Sequence, residues 1–351
     1  MKLKKILIVA AIALIAFFLV YIFYGSYKLN KLAEMSFEEM LLYTSENKSD
    51  AVISVGIIKD GELSYRTYGE NGEILDFDDY IFEIGSITKT YTSALISKAI
   101  IENKIGIDDS IDKFIDLPEK TYYPTLKRLV THTSGYRGYY FESPMAANFF
   151  IRDNDFYGIT DSMLIRRTGR ISLNDKNYRF KYSNFGMALL GQVLESVYDK
   201  TYNELINDFI ADELGFENTI ISENSGSVEN YWEWSNEDAY IPAGGLLSNI
   251  HDMTKYLEIQ INDGKDYFAI AHQEIFEVDA NNSTHEKMGI RIDSVGMGWM
   301  IDKEKNITWH NGATSNFNCY IGFNKESGTG VVILSNLSPR FRIPATVMGI
   351  R

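Results

Sequence analysis

The chain has 351 residues, enough for one large domain or two with an ample core. Its formal net charge of −14 and the lack of any basic stripe exclude nucleic acid as an expected partner. The lone Cys319 excludes an internal disulfide, and the five histidines form no H-E-x-x-H pair, so we expect neither a metal nor a cofactor.

The N-terminus predicts a membrane anchor. A lysine-rich start precedes residues 6–25, an uncharged and mostly apolar run that would form a helix about 30 Å long, the thickness of a bilayer core. The run ends on bulky side chains at 22–24, where a cleaved signal peptide would carry small ones. We expect residues 1–25 to be an uncleaved single-pass anchor in the cell membrane, with the body of the chain outside. Residues 26–50 would be a juxtamembrane spacer and helix.

A helix and a β-hairpin follow. Ser36 and Glu39 have the spacing of a capping box at the start of a helix. Residues 51–58 and 63–68 have strand patterns, and the turn between them contains Asp60 and Gly61. Such a turn favours a tight hairpin.

A serine at the start of a long apolar helix is the first candidate nucleophile. Residues 80–84 predict a short strand, and apolar residues recur with helical spacing from Ile87 onward. Lys89 follows Ser86 by three positions, so both side chains lie on one helical face. A buried amine is costly unless it has a partner or a catalytic role, and it suits a serine that is activated without a histidine.

The same spacing has a simpler explanation as well. S-x-x-K also occurs at Ser45–Lys48 and Ser110–Lys113, and a serine at a helix start commonly caps backbone N–H groups. Only Ser86 follows an apolar strand and opens a long apolar helix. Its location, rather than the spacing, therefore makes Ser86 the candidate.

The pattern from about 103 to 295 is mainly helical with long loops. Tyr182-Ser183-Asn184 precedes an apolar helix and could direct a phenol and an amide into one cleft, although a structural tyrosine is common. His132 lies in a turn that ends in glycine, which favours a structural role. Residues 136–157 carry eight aromatic side chains, which could line a substrate cleft or form a partly packed lid loop.

The C-terminal part returns to strands. Residues 298–302, 307–310, 318–323 and 330–334 predict an antiparallel meander. His310-Asn311-Gly312-Ala313 lies at the exit of one of these strands, and its glycine would let a substrate acyl group approach the strand closely.

The order Ser86-x-x-Lys89, Tyr182-x-Asn184, His310-x-Gly312 resembles the serine β-lactamase and penicillin-binding-protein superfamily, and more narrowly the class C β-lactamase-related serine hydrolases. Residues 129–135, 182–186 and 243–246 also resemble phrases of that family. The resemblance implies an α+β fold for residues 51–351. An antiparallel sheet would be flanked by helices, with a helical subdomain inserted at about 103–295 and the active site between the two.

The resemblance also implies roles for the site residues. Ser86 would form an acyl-enzyme, Lys89 would stabilise the alkoxide, and Tyr182, with its pKa lowered by Lys89 and His310, would be the general base. Asn184 would orient Lys89 and bind a substrate amide carbonyl. The N–H groups of Ser86 and Ala313 would form the oxyanion hole beside Gly312.

One position departs from the class C pattern. True class C β-lactamases carry Lys-Thr-Gly where this chain has His310-Asn311-Gly312, and histidine there resembles D,D-peptidases, D-amino-acid amidases and esterases of the group. We therefore expect a membrane-anchored peptidase, amidase or esterase acting on small-molecule or peptidoglycan-type substrates of the cell envelope. A β-lactamase and a catalytically weak wall-binding sensor or scaffold are the alternatives.

Overall fold

An antiparallel sheet organises the residues that the computed structural model describes, which are 30–221, 231–278, 280–338 and 342–350 together with 17, 18, 25 and 27. Within these residues the sheet has nine strands in the order β3-β2-β1-β12-β11-β10-β9-β8-β7. Its strands are β1 Ile53–Lys59, β2 Glu62–Tyr68, β3 Ile74–Leu75, β7 Phe276–Glu277, β8 Ser294–Val295, β9 Met300–Asp302, β10 Ile307–Ala313, β11 Asn318–Asn324 and β12 Thr329–Ser335.

A second, small sheet carries the segment that precedes Ser86. It has three strands in the order β4-β6-β5 within the described residues, and these are β4 Phe82–Glu83, β5 Ile220–Ile221 and β6 Leu246–Ser248.

The helices lie around and between the two sheets. They are α1 Phe37–Ser45, α2 Thr88–Ile101, α3 Leu126–Val130, α4 Ser143–Ile151, α5 Asp161–Arg170, α6 Asn184–Tyr198, α7 Tyr202–Asp208, α8 Ile241–Gly244, α9 Ile250–Ile261, α10 Asp266–Ala271, α11 Ser283–Lys287 and α12 Arg342–Ile350. Residues 30–34 are also helical, and a π-helical turn, Phe209–Leu214, follows α7.

The predicted hairpin and the predicted meander are both present. β1 and β2 pair in register around Asp60 and Gly61, which have φ values of 55° and 77°, as a two-residue hairpin turn of this type requires. The capping box at the start of α1 also forms, with Ser36 and Glu39 each accepting from the other's backbone N–H.

Both faces of the central strands are buried. Ile321 and Val332 pack into the core that contains α2 and α9, whereas the alternating residues Tyr320 and Ile333 pack into the core that contains α1 and α12. Because side chains alternate across a strand, a strand covered on both faces is continuously apolar. This explains why β11 is buried over nearly its whole length.

Two boundaries differ from those expected. α9 packs on β1, β11 and β12, and the main sheet resumes at Phe276, so the inserted helices end well before the expected boundary near 295. β10 continues to Ala313, so the His310 motif lies within this strand instead of at its exit.

The predicted anchor at residues 6–25 lies outside the described residues, except for Phe17, Phe18 and Gly25. Among the residues that the structure does describe, no helix combines the length and the apolar character needed to cross a bilayer.

Candidate active site

Ser86 lies in a tight turn between the small sheet and α2. The N–H of Ile84 donates to the carbonyl of Leu246 on β6, and a short 3-10 segment, Gly85–Ile87, leads into the helix. Gly85 has a φ of 48°, and a Cβ there would lie 2.8 Å from the backbone nitrogen of Ala313. Only glycine combines this backbone geometry with so close an approach. The turn therefore fixes Ser86 against β10.

Lys89 is fully buried beside the serine. Its Nζ lies 2.9 Å from Ser86 Oγ and donates at 2.5 Å to the carbonyl oxygen of Ala243. Burial holds the pKa of this amine well below its ordinary value, because a charged ammonium loses its hydration in the core. A neutral amine next to the hydroxyl can accept its proton.

Tyr182 and His310 complete the cluster that the motifs predicted. Lys89 Nζ lies 4.9 Å from the centroid of the Tyr182 ring, and the Tyr182 and His310 rings are 6.0 Å apart. His310 is buried in β10, and its Nδ1–H donates at 2.7 Å to the carbonyl of Asn311. Since that nitrogen carries the hydrogen, Nε2 of the neutral ring is an acceptor.

His132 has the structural, backbone-bonding role that its turn favoured, and the segment it holds is the one that presents Tyr182. Its carbonyl accepts from the N–H of Lys181 at 2.9 Å, and its Nδ1 accepts from the N–H of Ser183 at 3.3 Å. These two hydrogen bonds hold the residues directly before and after Tyr182. The centroids of the His132 and Tyr182 rings lie 4.6 Å apart.

The protonation state of His132 matters for the hydrogen bond to Ser183. Burial, followed by the neighbouring Lys89 and His310, lowers the pKa of His132 well below its ordinary value. A protonated ring would donate from Nδ1 and lose the bond to Ser183. The left-handed φ of 57° at His132 is uncommon for a residue other than glycine, and nothing in the local sequence signals it.

A narrow cleft of about 40 Å³ opens beside Ser86. Asn184, Ala313 and Trp234 line it together with the nucleophile. Asn184 Oδ1 and Trp234 Nε1 are buried and have no hydrogen-bond partner among the described residues. Asn184 Oδ1 therefore does not hold the Lys89 amine as expected, since Ala243 does so. One unpaired acceptor and one unpaired donor match the N–H and C=O of an amide.

Gly312 has a packing role in this structure. An added Cβ would overlap the carbonyl oxygen of Ile84 and lie 3.2 Å from the Ser86 nitrogen. The glycine therefore allows β10 to contact the turn that carries Ser86. Ala313 then follows with its backbone at the cleft.

The buried carboxyl group of Glu83 accepts hydrogen bonds from two segments that border the cleft. Glu83 accepts at 2.5 Å from the N–H of Trp232 and at 2.5 Å from the hydroxyl of Thr314. Burial raises the pKa of Glu83 to about 7, and the two hydrogen bonds oppose that shift only in part. Glu83 thereby connects the turn before Ser86, residues 231–235 (the tryptophan loop, which carries Trp232 and Trp234) and the end of β10.

Comparison with models of known protein families identifies the family to which the chain belongs. The family model described as Beta-lactamase matches residues 47–346. The chain belongs to the Beta-lactamase family. It is a serine hydrolase of that family, and the predicted resemblance is confirmed at this level.

The individual relatives are distant. Protein flp of Staphylococcus aureus (strain MW2) is 22% identical over 291 residues, which cover 74% of this chain and 53% of that protein. The chain thus spans about half the length of this relative. A protein named Beta-lactamase from Pseudomonas fluorescens is 21% identical over 331 residues, covering 82% of this chain and 88% of that protein.

Solved structures of the Beta-lactamase family support the fold. The Beta-lactamase/D-alanine carboxypeptidase of Yersinia pestis, solved with citrate, matches with a TM-score of 0.72 and 19% identity over 92% of this chain and 96% of that one. The octameric penicillin-binding protein homologue of Pyrococcus abyssi matches with a TM-score of 0.66 and 24% identity, over 84% of this chain and 72% of that one.

Proposed function

We propose that Ser86 attacks the carbonyl of a D-amino-acid amide or ester of the cell envelope and forms an acyl-enzyme, which water then hydrolyses. The observation that carries this proposal is the contact between Ser86 Oγ and the buried Lys89 Nζ at 2.9 Å. A serine hydroxyl is a weak nucleophile until an adjacent base takes its proton.

In the proposed first step Lys89, and not Tyr182 as the resemblance implied, accepts the proton of Ser86 as Oγ bonds to the carbonyl carbon, because its buried Nζ is the amine in contact with Oγ. The tetrahedral intermediate then collapses, the bond to the leaving nitrogen or oxygen breaks, and the proton passes through Tyr182 to the leaving group. Water then attacks the acyl carbonyl and gives its proton to the same groups, the bond between the carbonyl carbon and Ser86 Oγ breaks, and Oγ takes up that proton as the acid is released. Lys89 Nζ lies 4.9 Å from the centroid of the Tyr182 ring, so the amine and the phenol belong to the same cluster.

The N–H groups of Ser86 and Ala313 would bind the oxyanion. Both residues line the cleft, and Ser86 lies at the N-terminal end of α2, where the helix dipole favours negative charge. Removing one such donor typically costs about 100-fold in rate.

Three features support the substrate class. The unpaired Asn184 Oδ1 and Trp234 Nε1 suit an amide in the bound substrate. The structural neighbour from Yersinia pestis carries the name D-alanine carboxypeptidase. The apolar run at residues 6–25 would tether the catalytic part to the outer face of the cell membrane, beside peptidoglycan stems and D-alanyl esters.

Intact-mass labelling tests the proposal. We expect a fluorophosphonate and a fluorescent penicillin each to add one adduct to the wild-type chain and none to Ser86→Ala. Parallel assays would use a D-alanyl-D-alanine peptide, a D-alanyl ester and a chromogenic cephalosporin. Cephalosporin turnover faster than peptide or ester turnover would instead identify a β-lactamase. A folded protein that takes no label would be a binding protein.

A further inference from the structure

An apolar groove lies next to the cleft that contains Ser86. It has a volume of about 380 Å³ and is lined mainly by Tyr139, Phe141, Met145, Ala146, Phe149 and Phe156. This volume lies in the range of small-molecule sites, which are about 300–1,000 Å³ and mostly apolar. Phe141 and Phe149 are 64% and 75% exposed, so the groove is open at the surface.

The groove and the cleft share one wall. Phe156 lines both. Its ring stacks on Tyr240 with centroids 4.5 Å apart, and Tyr240 also lines the cleft. Arg152, at the end of α4, forms an ion pair with Glu233 and covers the Tyr157 ring at 3.7 Å. These contacts fix the position of α4 relative to the tryptophan loop at the cleft.

The cleft itself is too small for a whole substrate. Its volume of about 40 Å³ is far below the roughly 300–1,000 Å³ of small-molecule sites, so the bulk of a substrate would lie outside it. The adjacent groove offers an apolar surface that begins at the shared Phe156. An apolar chain attached to the reacting carbonyl could lie there.

We propose that this groove binds a medium-length aliphatic chain on the acyl side of the substrate, carried by the D-amino-acid residue whose carbonyl is attacked by Ser86. The proposal rests on the proposed function and specifies its acyl part. The acyl side is favoured over the leaving group because the leaving group needs a proton from the Tyr182 side. Tyr182 contacts His132, His310 and Lys89, whereas Phe156 contacts Tyr139, Trp232 and Tyr240.

Two matched variants on α4 test the groove. Ala146 and Ala147 are neighbours and both are exposed, but only Ala146 lines the groove. Ala146→Trp would fill it, and Ala147→Trp would add the same side chain outside it. The readout is kcat/KM of the full chain for p-nitrophenyl acetate and p-nitrophenyl octanoate.

The wild-type chain should prefer octanoate to acetate by about tenfold or more, because each fully buried methylene contributes about fourfold and this groove buries the chain only in part. Ala146→Trp should bring this ratio close to one with unchanged acetate hydrolysis, and Ala147→Trp should keep the wild-type ratio. A wild-type ratio near one would overturn the proposal. An octanoate-to-acetate ratio that Ala146→Trp leaves unchanged would overturn it as well. If Ala146→Trp in that case weakens binding to phosphatidylcholine vesicles, the groove contacts the membrane instead.

The two proposals fail separately. A wild-type chain that hydrolyses neither the D-alanyl peptide, nor the D-alanyl ester, nor the acetate ester contradicts the proposed function. In that case calorimetric titration with octanoate tests the groove alone. Binding that survives in Ala147→Trp and disappears in Ala146→Trp supports the groove, and equal binding or none in all three proteins overturns it.

Discussion

Two S-x-x-K segments of the same spacing have opposite surroundings. Lys89 is fully buried, its Nζ contacts Ser86 Oγ and a backbone carbonyl, and burial lowers its pKa. Lys113 is 60% exposed in its side chain and forms an ion pair with Asp109. Ser110 Oγ donates to the carbonyl of Tyr123 at 3.0 Å, not to a substrate cleft.

The third copy supports the same conclusion. The hydroxyl of Ser45 donates at 2.8 Å to the carbonyl of Leu41 within its own helix. Only Ser86 leads into a long helix, because Ser45 is the last residue of α1 and Ser110 precedes a three-residue 3-10 turn. What distinguishes Ser86–Lys89 is a buried amine that forms no ion pair with any residue the structure describes, and burial of this kind favours the neutral, basic form.

The largest expected effect separates Ser86 from Ser110. Ser86→Ala should lower kcat/KM for the preferred ester by about 10⁴-fold or more, because it removes the nucleophile. Ser110→Ala should leave the rate within about twofold. Steady-state kinetics on both variants, with circular dichroism to verify folding, measures the difference. Equal losses in the two variants would remove Ser86 from its assigned role.

The second comparison pairs Lys89→Met with Lys113→Met. Loss of the base should reduce kcat by about 10³-fold at Lys89, in the range of general-base contributions, and leave it unchanged at Lys113. The wild-type rate should also fall as the pH decreases, because a protonated Lys89 cannot accept the serine proton. A Lys89→Met enzyme that retains activity with an unchanged pH profile would exclude this assignment.

Lys89→Met should lower activity but raise the stability of the folded chain. Its folded pKa lies below its unfolded value, so the unfolded chain binds more protons and wild-type stability rises with pH up to about 10.5. Lys89→Met removes this cost and should raise the melting temperature at pH 7 by about 2 °C. Lys113→Met loses only an exposed ion pair of about 0–1 kcal/mol. Thermal scans of both variants at pH 7 and pH 9 test the sign.

A smaller effect should follow from removing the hydrogen bond between His132 and the loop that presents Tyr182. His132→Ala removes the acceptor for the Ser183 N–H and should lower kcat by about 10- to 100-fold with little change in KM, because a misplaced catalytic group costs about this much. His132→Asn keeps an acceptor near Nδ1 and tolerates the left-handed backbone, so it should recover most of the rate. If His132→Ala and His132→Asn lowered kcat and the melting temperature equally, the acceptor near Nδ1 would not matter for the rate. His132 would then have only a structural role.

The last effect concerns stability alone and is expected at Glu83, the carboxyl group whose surroundings contrast with those of Asp109. The hydrogen bond from Lys113 lowers the pKa of Asp109, whereas burial raises that of Glu83 to about 7. Between pH 4.5 and 7 the folded state holds the Glu83 proton more tightly than the unfolded state. Stability from this group therefore falls as the pH rises through that window, by up to about 3 kcal/mol.

Glu83→Gln should flatten this dependence, because glutamine does not titrate. Denaturant unfolding at pH 5 and pH 7.5 provides the measurement, and Asp109→Asn is the matched control at a carboxyl group with a lowered pKa. A Glu83→Gln protein whose stability changes with pH as steeply as that of the wild type would contradict the assignment.

Much of the fold could be predicted because its signals are local. Asp60-Gly61 specifies a tight turn, and the polar turns between 298 and 335 separate strands that pair with their sequence neighbours. The end of the helical insertion could not be predicted in this way. α9 has the pattern of an ordinary helix, and only its packing against β1 and β12 assigns it to the sheet.

The candidate site likewise has some properties that the sequence predicts and others that only the tertiary structure shows. The sequence by itself determined which residues are available, namely Ser86, Lys89, Tyr182, Asn184 and the His310–Ala313 segment, since helical spacing and turn chemistry act over a few residues. The tertiary structure decided that Lys89 is buried, that Ala243 holds its amine, that His132 grips the Tyr182 loop and that Glu83 lies behind the cleft. Those properties depend on desolvation and on contacts between distant segments, and no local pattern encodes either.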